Sequence, residues 1–175
     1  MPRISCGCYW IGIDPGAFGG LAAIDGSGCV DLLAKPATDQ DVWQWLCLKQ
    51  GGVGFSPAIE CFAVIEQNTG YVGGAGNPGS AMFKFGCSHG MLEGFLVAAS
   101  IPYEQITPGQ WQRALGIQPR GKGKGKGKES KTQFKNRLKQ RAQQLFPGKP
   151  ITLATADAVL IAYYCRLKQE GRLAR

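Results

Sequence analysis

Several features are missing from this 175-residue sequence, and each absence excludes a class of protein. No apolar run approaches the ~18 residues that a membrane span requires. The first apolar stretch is short and ends at Asp14, so we expect no signal peptide. A single histidine, His89, leaves no plausible zinc set. The seven cysteines are an odd number, and we expect them to be reduced thiols of an intracellular protein.

Acidic residues are also scarce, because 12 Asp and Glu accompany 20 Lys and Arg, which gives a net charge of +8. The basic residues are concentrated between Arg113 and Lys149, where 12 of them accompany one acid, Glu129. That segment carries +11, and the rest of the chain carries −3. A mildly acidic body with one strongly basic segment indicates a polyanionic partner, most economically a nucleic acid. A purely solubilising face is the less favoured interpretation of so concentrated a charge.

The hydrophobic fraction of 44% predicts a folded globule, and the length predicts one domain over residues 1–175. Strands are predicted at about 8–13, 19–24, 29–33, 58–66 and 102–106. Helices are predicted at about 39–48, 80–100, 108–115, 130–145 and 156–169. A flexible basic Gly-Lys loop is expected at about 119–129. This order predicts an α/β, ribonuclease H-like domain, with a five-stranded mixed sheet flanked by helices.

The predicted helix at 80–100 carries an unusual stripe of glycines. Gly86, Gly90 and Gly94 fall on one face, and Ala98 continues it. An interior glycine costs ~1 kcal/mol relative to alanine. Three in register therefore predict that another backbone packs against this face. The sheet of the same subunit and a second subunit both remain open as that partner.

Three acidic residues adjoin long apolar segments. Asp14 ends the first strand, Glu66 ends the fourth, and Asp157 opens the last helix. If the two strands are neighbours, their backbones run ~4.8 Å apart and both carboxylates share one site. Such charges repel unless protons or cations neutralise them, and a pair of Mg²⁺ ions is the usual solution for a phosphodiester substrate. Taken singly, each acid also fits a turn, a solvated strand end or a helix N-terminus.

Five segments raise a family resemblance. Three of them resemble the acidic motifs of RuvC-type Holliday junction resolvases: Ile11–Gly16, Ile65–Gln67 and Ala156–Ala162. Two others resemble the family's helix and post-strand segments, in the right order: Ser80–Gly86 and Thr107–Trp111. The resemblance spans nearly the whole chain. The Trp111 segment and the ending Leu145-Phe146-Pro147 are more similar to phage and chloroplast members than to the bacterial housekeeping enzyme.

The resemblance implies a homodimer that acts in DNA recombination and repair by nicking four-way DNA junctions symmetrically. It implies Mg²⁺ as cofactor, two ions to a site, with Mn²⁺ as a substitute. By motif, Asp14, Glu66 and Asp157 would be both catalytic residues and metal ligands. It also implies an intracellular location, in the cytoplasm or nucleoid, in the host of a phage, or in an organelle.

Basic and aromatic residues are the expected DNA contacts. The family often has a functional lysine near the scissile phosphate, for which Lys131 is the first candidate and Lys128 the second. Contacts with the phosphates of the DNA backbone position a protein without reading the base sequence. We expect the Gly-Lys repeat to make contacts of this kind. Tyr71, which follows Glu66 in a glycine-rich loop, is a candidate for stacking on an unpaired base at the crossover, and an ordinary exposed tyrosine is the alternative. The remaining predicted DNA-binding residues are Arg113, Lys122, Lys124 and Lys126.

The sequence departs from the family pattern at two positions. Ala154 stands where bacterial members carry another acid or a histidine, three residues before the last aspartate. Water or the hydroxyl of Thr155 would then complete the shell of one metal. Gln112 replaces a lysine expected just after Trp111, with Arg113 next to it, which leaves one phosphate-contacting cation unassigned.

Three other functions are compatible with parts of the sequence. One is an RNA-processing or other branch nuclease of the same fold. A second is nucleotide binding, because the segment from Asp14 to Gly20 is also similar to the phosphate loop of sugar kinases and actin-like ATPases; those enzymes close two such domains on ATP. The third is a non-catalytic DNA-binding module, which Ala154 alone favours.

Overall fold

The computed structural model describes residues 8–35, 38–51, 60–67, 79–120 and 129–173. The strands are β1 (Cys8–Asp14), β2 (Gly20–Asp25), β3 (Val30–Ala34), β4 (Glu60–Glu66) and β5 (Tyr103–Ile106). The helices are α1 (Asp39–Lys49), α2 (Gly79–Ala98), α3 (Pro108–Ala114), α4 (Lys131–Leu145) and α5 (Ala156–Gln169). The predicted strands and helices are thus confirmed, with ends that differ by one or two residues.

The five strands form one mixed sheet in the order β3-β2-β1-β4-β5. β2 runs antiparallel to both β1 and β3, as expected of strands joined by short turns. In the β2–β3 turn, the Asp25 carboxylate accepts hydrogen bonds from the backbone N–H groups of Ser27 and Cys29. β4 and β5 run parallel to β1, each reached through a helix. The predicted five-stranded mixed sheet flanked by helices is confirmed.

Helices cover both faces of the sheet, and the alternation of side chains along each strand divides the core in two. Ile11, Ile13 and Ile65 point to the face covered by α1 and α2. Trp10 and Val64 point to the opposite face, which α3, α4 and α5 cover. Both sides of β1 are therefore buried. Its carboxyl end lies in the middle of the sheet, beside the carboxyl end of the parallel strand β4.

Helix α5 packs unusually close to β1, and Gly12 is the reason. A Cβ at Gly12 would lie 2.2 Å from the carbonyl oxygen of Ala158 and 2.2 Å from the backbone nitrogen of Ala162. Every residue from 156 to 162 is buried, as an interior helix requires. The contact fixes the start of α5 above the end of β1.

The glycines of α2 do not pack on the sheet of their own chain. Among the described residues, apart from the neighbouring backbone of α2 itself, no atom lies within 4 Å of a Cβ built at Gly86, Gly90 or Gly94. Phe83 and Val97 on the same helix are 73% and 66% exposed. The glycine stripe therefore does not pack against the sheet of its own subunit, and this one of the two predicted alternatives is wrong.

Some sequence-based expectations lie outside the described residues. They concern the Gly-Lys repeat at 121–128 and most of the glycine-rich stretch at 70–79. Within the described ranges, no helix is long and apolar enough to cross a membrane. The six cysteines in those ranges form no disulfide.

The Gly12 contact leads to a test of stability. We expect Gly12→Ala to lower the free energy of unfolding by about 3 kcal/mol or more, because the new methyl group collides with backbone atoms that cannot move aside singly. Gly109→Ala in α3 is the matched control, since its Cβ enters open space among the described residues. Urea unfolding of both variants checks this. Equal midpoints would show that α5 does not depend on Gly12.

Candidate active site

The three predicted acids converge at the carboxyl ends of the neighbouring strands β1 and β4. Pairing of Ile13 with Ile65 places Asp14 and Glu66 at the ends of adjacent parallel strands, and the close packing of α5 on β1 brings Asp157 to the same place. Two adjoining clefts of about 660 and 360 Å³ lie there, and Glu66 lines both. Asp14 lines the larger cleft and Asp157 the smaller.

A tight turn holds Asp14. Its carboxylate Oδ1 accepts a hydrogen bond from the backbone N–H of Gly16 at 3.0 Å. The N–H of Gly19 donates to the carbonyl of Gly16 at 3.0 Å and closes the turn. A Cβ at Gly19 would lie 2.2 Å from the carbonyl oxygen of Asp14, so this position requires glycine. Phe18, at the tip of the turn, is 91% exposed at the rim of the larger cleft.

Glu66 is a buried carboxylate with one strong partner. It is 7% exposed, and its Oε2 accepts a hydrogen bond from the indole N–H of the fully buried Trp111 at 2.8 Å. Burial, followed by the nearby charge of Asp14, raises the pKa of Glu66 to about 7, although the Trp111 hydrogen bond opposes the shift. Trp111 therefore fixes one oxygen of Glu66 and favours its ionised form.

Asp157 is buried in the first turn of α5 and is 4% exposed. Its Oδ2 forms an ion pair with the Lys135 ammonium, whereas its buried Oδ1 has no hydrogen-bond partner among the described residues. Burial raises the pKa of Asp157, and Lys135 opposes the shift. A buried carboxylate oxygen without a partner is costly, and a bound cation would satisfy it.

Lys135 is the site residue that sequence reasoning missed. It lies on α4, whose start is fixed by a capping box between Ser130 and Gln133. Burial lowers the pKa of Lys135, but Asp157, together with Asp14 and Glu66, raises it above its ordinary value. The i, i+4 spacing from Lys131 was a usable signal, because it places both lysines on one side of α4.

The predicted DNA contacts are only partly brought together. Lys131 is exposed and lines both clefts beside the acids. Arg113 is exposed on α3 and lines a separate depression. Gln112, at the position where a lysine was expected, is buried and lines the smaller cleft. Arg120, which the sequence analysis did not single out, lines that cleft too. The other predicted contacts lie outside the described residues: Lys122, Lys124, Lys126, Lys128 and Tyr71.

Arg137 joins the two chain segments that lie immediately before and after the Gly-Lys repeat. Its guanidinium Nε donates to Glu129 Oε1 at 2.9 Å, and an amino group donates to the carbonyl of Gln118 at 3.0 Å. One side chain thus links the residues before and after positions 121–128. Both ends are held beside the clefts, where Arg120 and Lys131 lie.

The donor set suits a hard cation, although the side chains are not arranged around one. Within the described ranges, no three His, Cys, Asp or Glu residues stand close enough to hold a metal ion. The three carboxylates are nevertheless the oxygen ligands that Mg²⁺ prefers, and Asp157 Oδ1 lacks a partner among the described residues. The Thr155 hydroxyl accepts a hydrogen bond from the backbone N–H of Thr152 at 3.0 Å. Metal binding by these acids stays a prediction.

Comparison with known proteins identifies the fold. No protein-family model and no curated protein matches the sequence. RuvC of Thermus thermophilus in complex with a Holliday junction substrate superposes with a TM-score of 0.56 at 15% identity, over 95% of this chain and 98% of that chain. A second T. thermophilus RuvC structure gives 0.50 at 18% identity over the same shares. The chain therefore has the RuvC-type, ribonuclease H-like fold, which confirms the predicted resemblance at the level of structure; identities this low establish the fold and not the activity.

Burial of Glu66 leads to a pH-dependent stability. With its pKa raised from 4.5 to about 7, the folded state binds more protons than the unfolded state between those values. We therefore expect the metal-free protein to lose stability as pH rises from about 4.5 to 7, by up to roughly 3 kcal/mol. Glu66→Gln should remove most of this slope. Urea unfolding in EDTA at pH 5, 6, 7 and 8 measures it, and equal slopes for both proteins would contradict the assignment.

Proposed function

We propose that this protein is a metal-dependent endonuclease that resolves four-way DNA junctions by paired nicking. The observation that carries the proposal is the convergence of Asp14, Glu66 and Asp157, from three separate elements, on clefts bordered by lysines. The fold supports it, since RuvC, which shares this fold, has been solved on a Holliday junction substrate. The concentration of positive charge between Arg113 and Lys149 supports a nucleic-acid substrate.

The acids would hold Mg²⁺, for which Mn²⁺ substitutes. A divalent cation at this position supplies Lewis acidity to the phosphodiester and favours ionisation of water. The protein contributes by holding its ligands in place: the Asp14 turn fixes one carboxylate, and the indole of Trp111 fixes a second. The close contact of α5 with β1 brings Asp157 to the cleft that Glu66 also lines. Among the described residues the three carboxylates do not surround a common point, so cation binding would draw them closer together.

Basic residues around the clefts would bind the DNA backbone. Lys131 and Arg120 both line the smaller cleft. The lysines of the repeat would add phosphate contacts that raise affinity without reading sequence: Lys122, Lys124, Lys126 and Lys128. Arg113 would contact phosphate further along α3, and Tyr71 would stack on an unpaired base near the crossover.

Paired nicking needs two active sites, so we propose a homodimer built on α2. The outward stripe of Gly86, Gly90 and Gly94 has open space before it among the described residues, which allows another helix backbone to approach closely. The exposed side chains of Phe83 and Val97 flank the stripe. Burying such a surface against a second copy would offset the helix-weakening effect of three glycines.

A resolvase of this kind would act inside the cell, in DNA recombination and repair. The compartment would be the cytoplasm or nucleoid, the host cytoplasm for a phage protein, or an organelle. The phosphate-loop alternative is disfavoured by the turn after Asp14, because the N–H groups of Gly16 and Gly19 already have partners within it.

The direct test offers the full-length protein a synthetic four-way junction with a mobile core, in Mg²⁺ and in Mn²⁺. We expect symmetrical nicks near the crossover and little cleavage of the matching linear duplex. Preference for structured RNA would favour the RNA-processing alternative. Binding without cleavage in either metal would favour a non-catalytic module, and a thermal shift with ATP would revive nucleotide binding.

The acids lead to a mutational prediction. Asp14→Asn, Glu66→Gln and Asp157→Asn should each lower junction cleavage by several orders of magnitude, because each amide keeps the shape but removes a charged ligand. Junction binding should persist or tighten, since the basic residues are unchanged. Glu60→Gln is the matched control: Glu60 is an exposed acid at the opposite end of β4. Near-normal cleavage by Asp157→Asn in Mg²⁺ would show that the three-acid site is wrong.

The α2 stripe leads to a prediction about assembly. We expect the protein to be a dimer at micromolar concentration and Gly90→Arg to be a monomer that still binds junctions but loses paired nicking. Gly109→Arg adds the same charge at another glycine with open space and should remain a dimer. Multi-angle light scattering distinguishes the two. A monomeric wild-type protein with full paired nicking would refute the dimer.

A further inference from the structure

The ion pair between Lys135 and Asp157 places a permanent positive charge inside the candidate metal site. The side chain of Lys135 is 35% exposed and that of Asp157 only 6%, and both residues line the smaller cleft. Lys135 also lines the larger cleft together with Asp14 and Glu66, and the smaller cleft together with Glu66 and Asp157. Its positive charge therefore acts on all three carboxylates, as that of a bound cation would.

The charge balance of the site follows from that position. Three ionised carboxylates carry three negative charges, and the Lys135 ammonium neutralises one of them. The two remaining charges equal those of one divalent cation. A second divalent cation would leave the cleft with excess positive charge and would have to compete with an ammonium already in contact with Asp157.

The side chains around Asp157 do not supply the ligands that a second ion would need. Ala154 lines the larger cleft but carries no oxygen on its side chain. The hydroxyl of Thr155 is buried and engaged by the backbone N–H of Thr152. The Oδ1 of Asp157, which has no partner among the described residues, is the one carboxylate oxygen of this residue left free for an ion, and Asp14 and Glu66 would be its co-ligands.

We propose that the Lys135 ammonium occupies the place of a second metal ion, so that each chain binds one divalent cation instead of two. This inference rests on the proposed function only in taking the three carboxylates as metal ligands. Its consequence is that Lys135 supplies the second positive charge of the site in every state of the protein, with or without metal.

Ion counting tests the proposal without measuring activity. Metal-free, full-length protein is titrated with Mn²⁺ up to millimolar concentration, and free Mn²⁺ is followed by electron paramagnetic resonance. We expect one bound ion per chain in the wild type and two in Lys135→Met. Lys131→Ala removes the same charge from the same clefts without touching Asp157, and it should keep one ion. If Lys135→Met does not fold in EDTA, Lys135→Gln, which retains a hydrogen-bond donor for Asp157, serves in its place.

Each outcome decides the matter. One ion in the wild type and in Lys131→Ala, with two in the Lys135 variant, supports the proposal. Two ions in the wild type, or one in the Lys135 variant, overturns it. If Lys131→Ala also bound a second ion, the effect would come from the total positive charge of the cleft. A specific role for the contact of Lys135 with Asp157 would then be excluded.

Failure here is distinguishable from failure of the proposed function. A wild-type protein that cuts four-way junctions and binds two ions keeps the nuclease assignment and loses the role of Lys135. A protein that binds one ion through Lys135-sensitive sites but cuts no nucleic acid keeps the ion inference and loses the nuclease assignment.

Discussion

The approach of α5 to β1 at Gly12 is the constraint on which the rest of the site depends. β1 is the central strand, and its end carries Asp14, with Glu66 beside it on β4. Asp157 reaches the same edge only because the missing side chain at Gly12 lets α5 lie against the strand backbone. A helix displaced outward by even a methyl group would separate the third carboxylate from the other two. The geometry of the site is thus decided in the hydrophobic core, at a residue with no polar atom in its side chain.

Bringing three carboxylates together, two of them buried, creates an electrostatic cost that the fold manages locally. Trp111 donates a hydrogen bond to Glu66, the Gly16 N–H donates to Asp14, and Lys135 pairs with Asp157. These partners come from three different elements, so the local charge balance links α3, α4 and the first loop to the centre of the sheet. The partnerless Oδ1 of Asp157 is the part of this balance that the described residues leave incomplete.

Much of the fold was predictable because its signals are local. Apolar runs and their spacing predicted the strands and helices, and the coincidence of acids with apolar ends led to the prediction of Asp14, Glu66 and Asp157 as site residues. For Lys135, the i, i+4 spacing from Lys131 indicated only a shared side of α4. Its pairing with Asp157 depends on how α4 crosses α5, and no pattern within α4 encodes that crossing. The α2 glycines show the same limit: periodicity revealed a shared face, but only the packed chain excluded its own sheet as the partner.

Arg137 gives the basic segment a property of a different kind. By bonding Glu129 and the carbonyl of Gln118, it holds in place the two points of the chain that any connection through positions 121–128 must join. For a flexible connection, the entropy of joining two fixed points changes slowly with its length, by about 0.6 kcal/mol for each doubling. Adding or removing a Gly-Lys unit would therefore have little effect on the positions of the carboxylates. The amount of positive charge in this segment and the geometry of the cleft can thus vary independently.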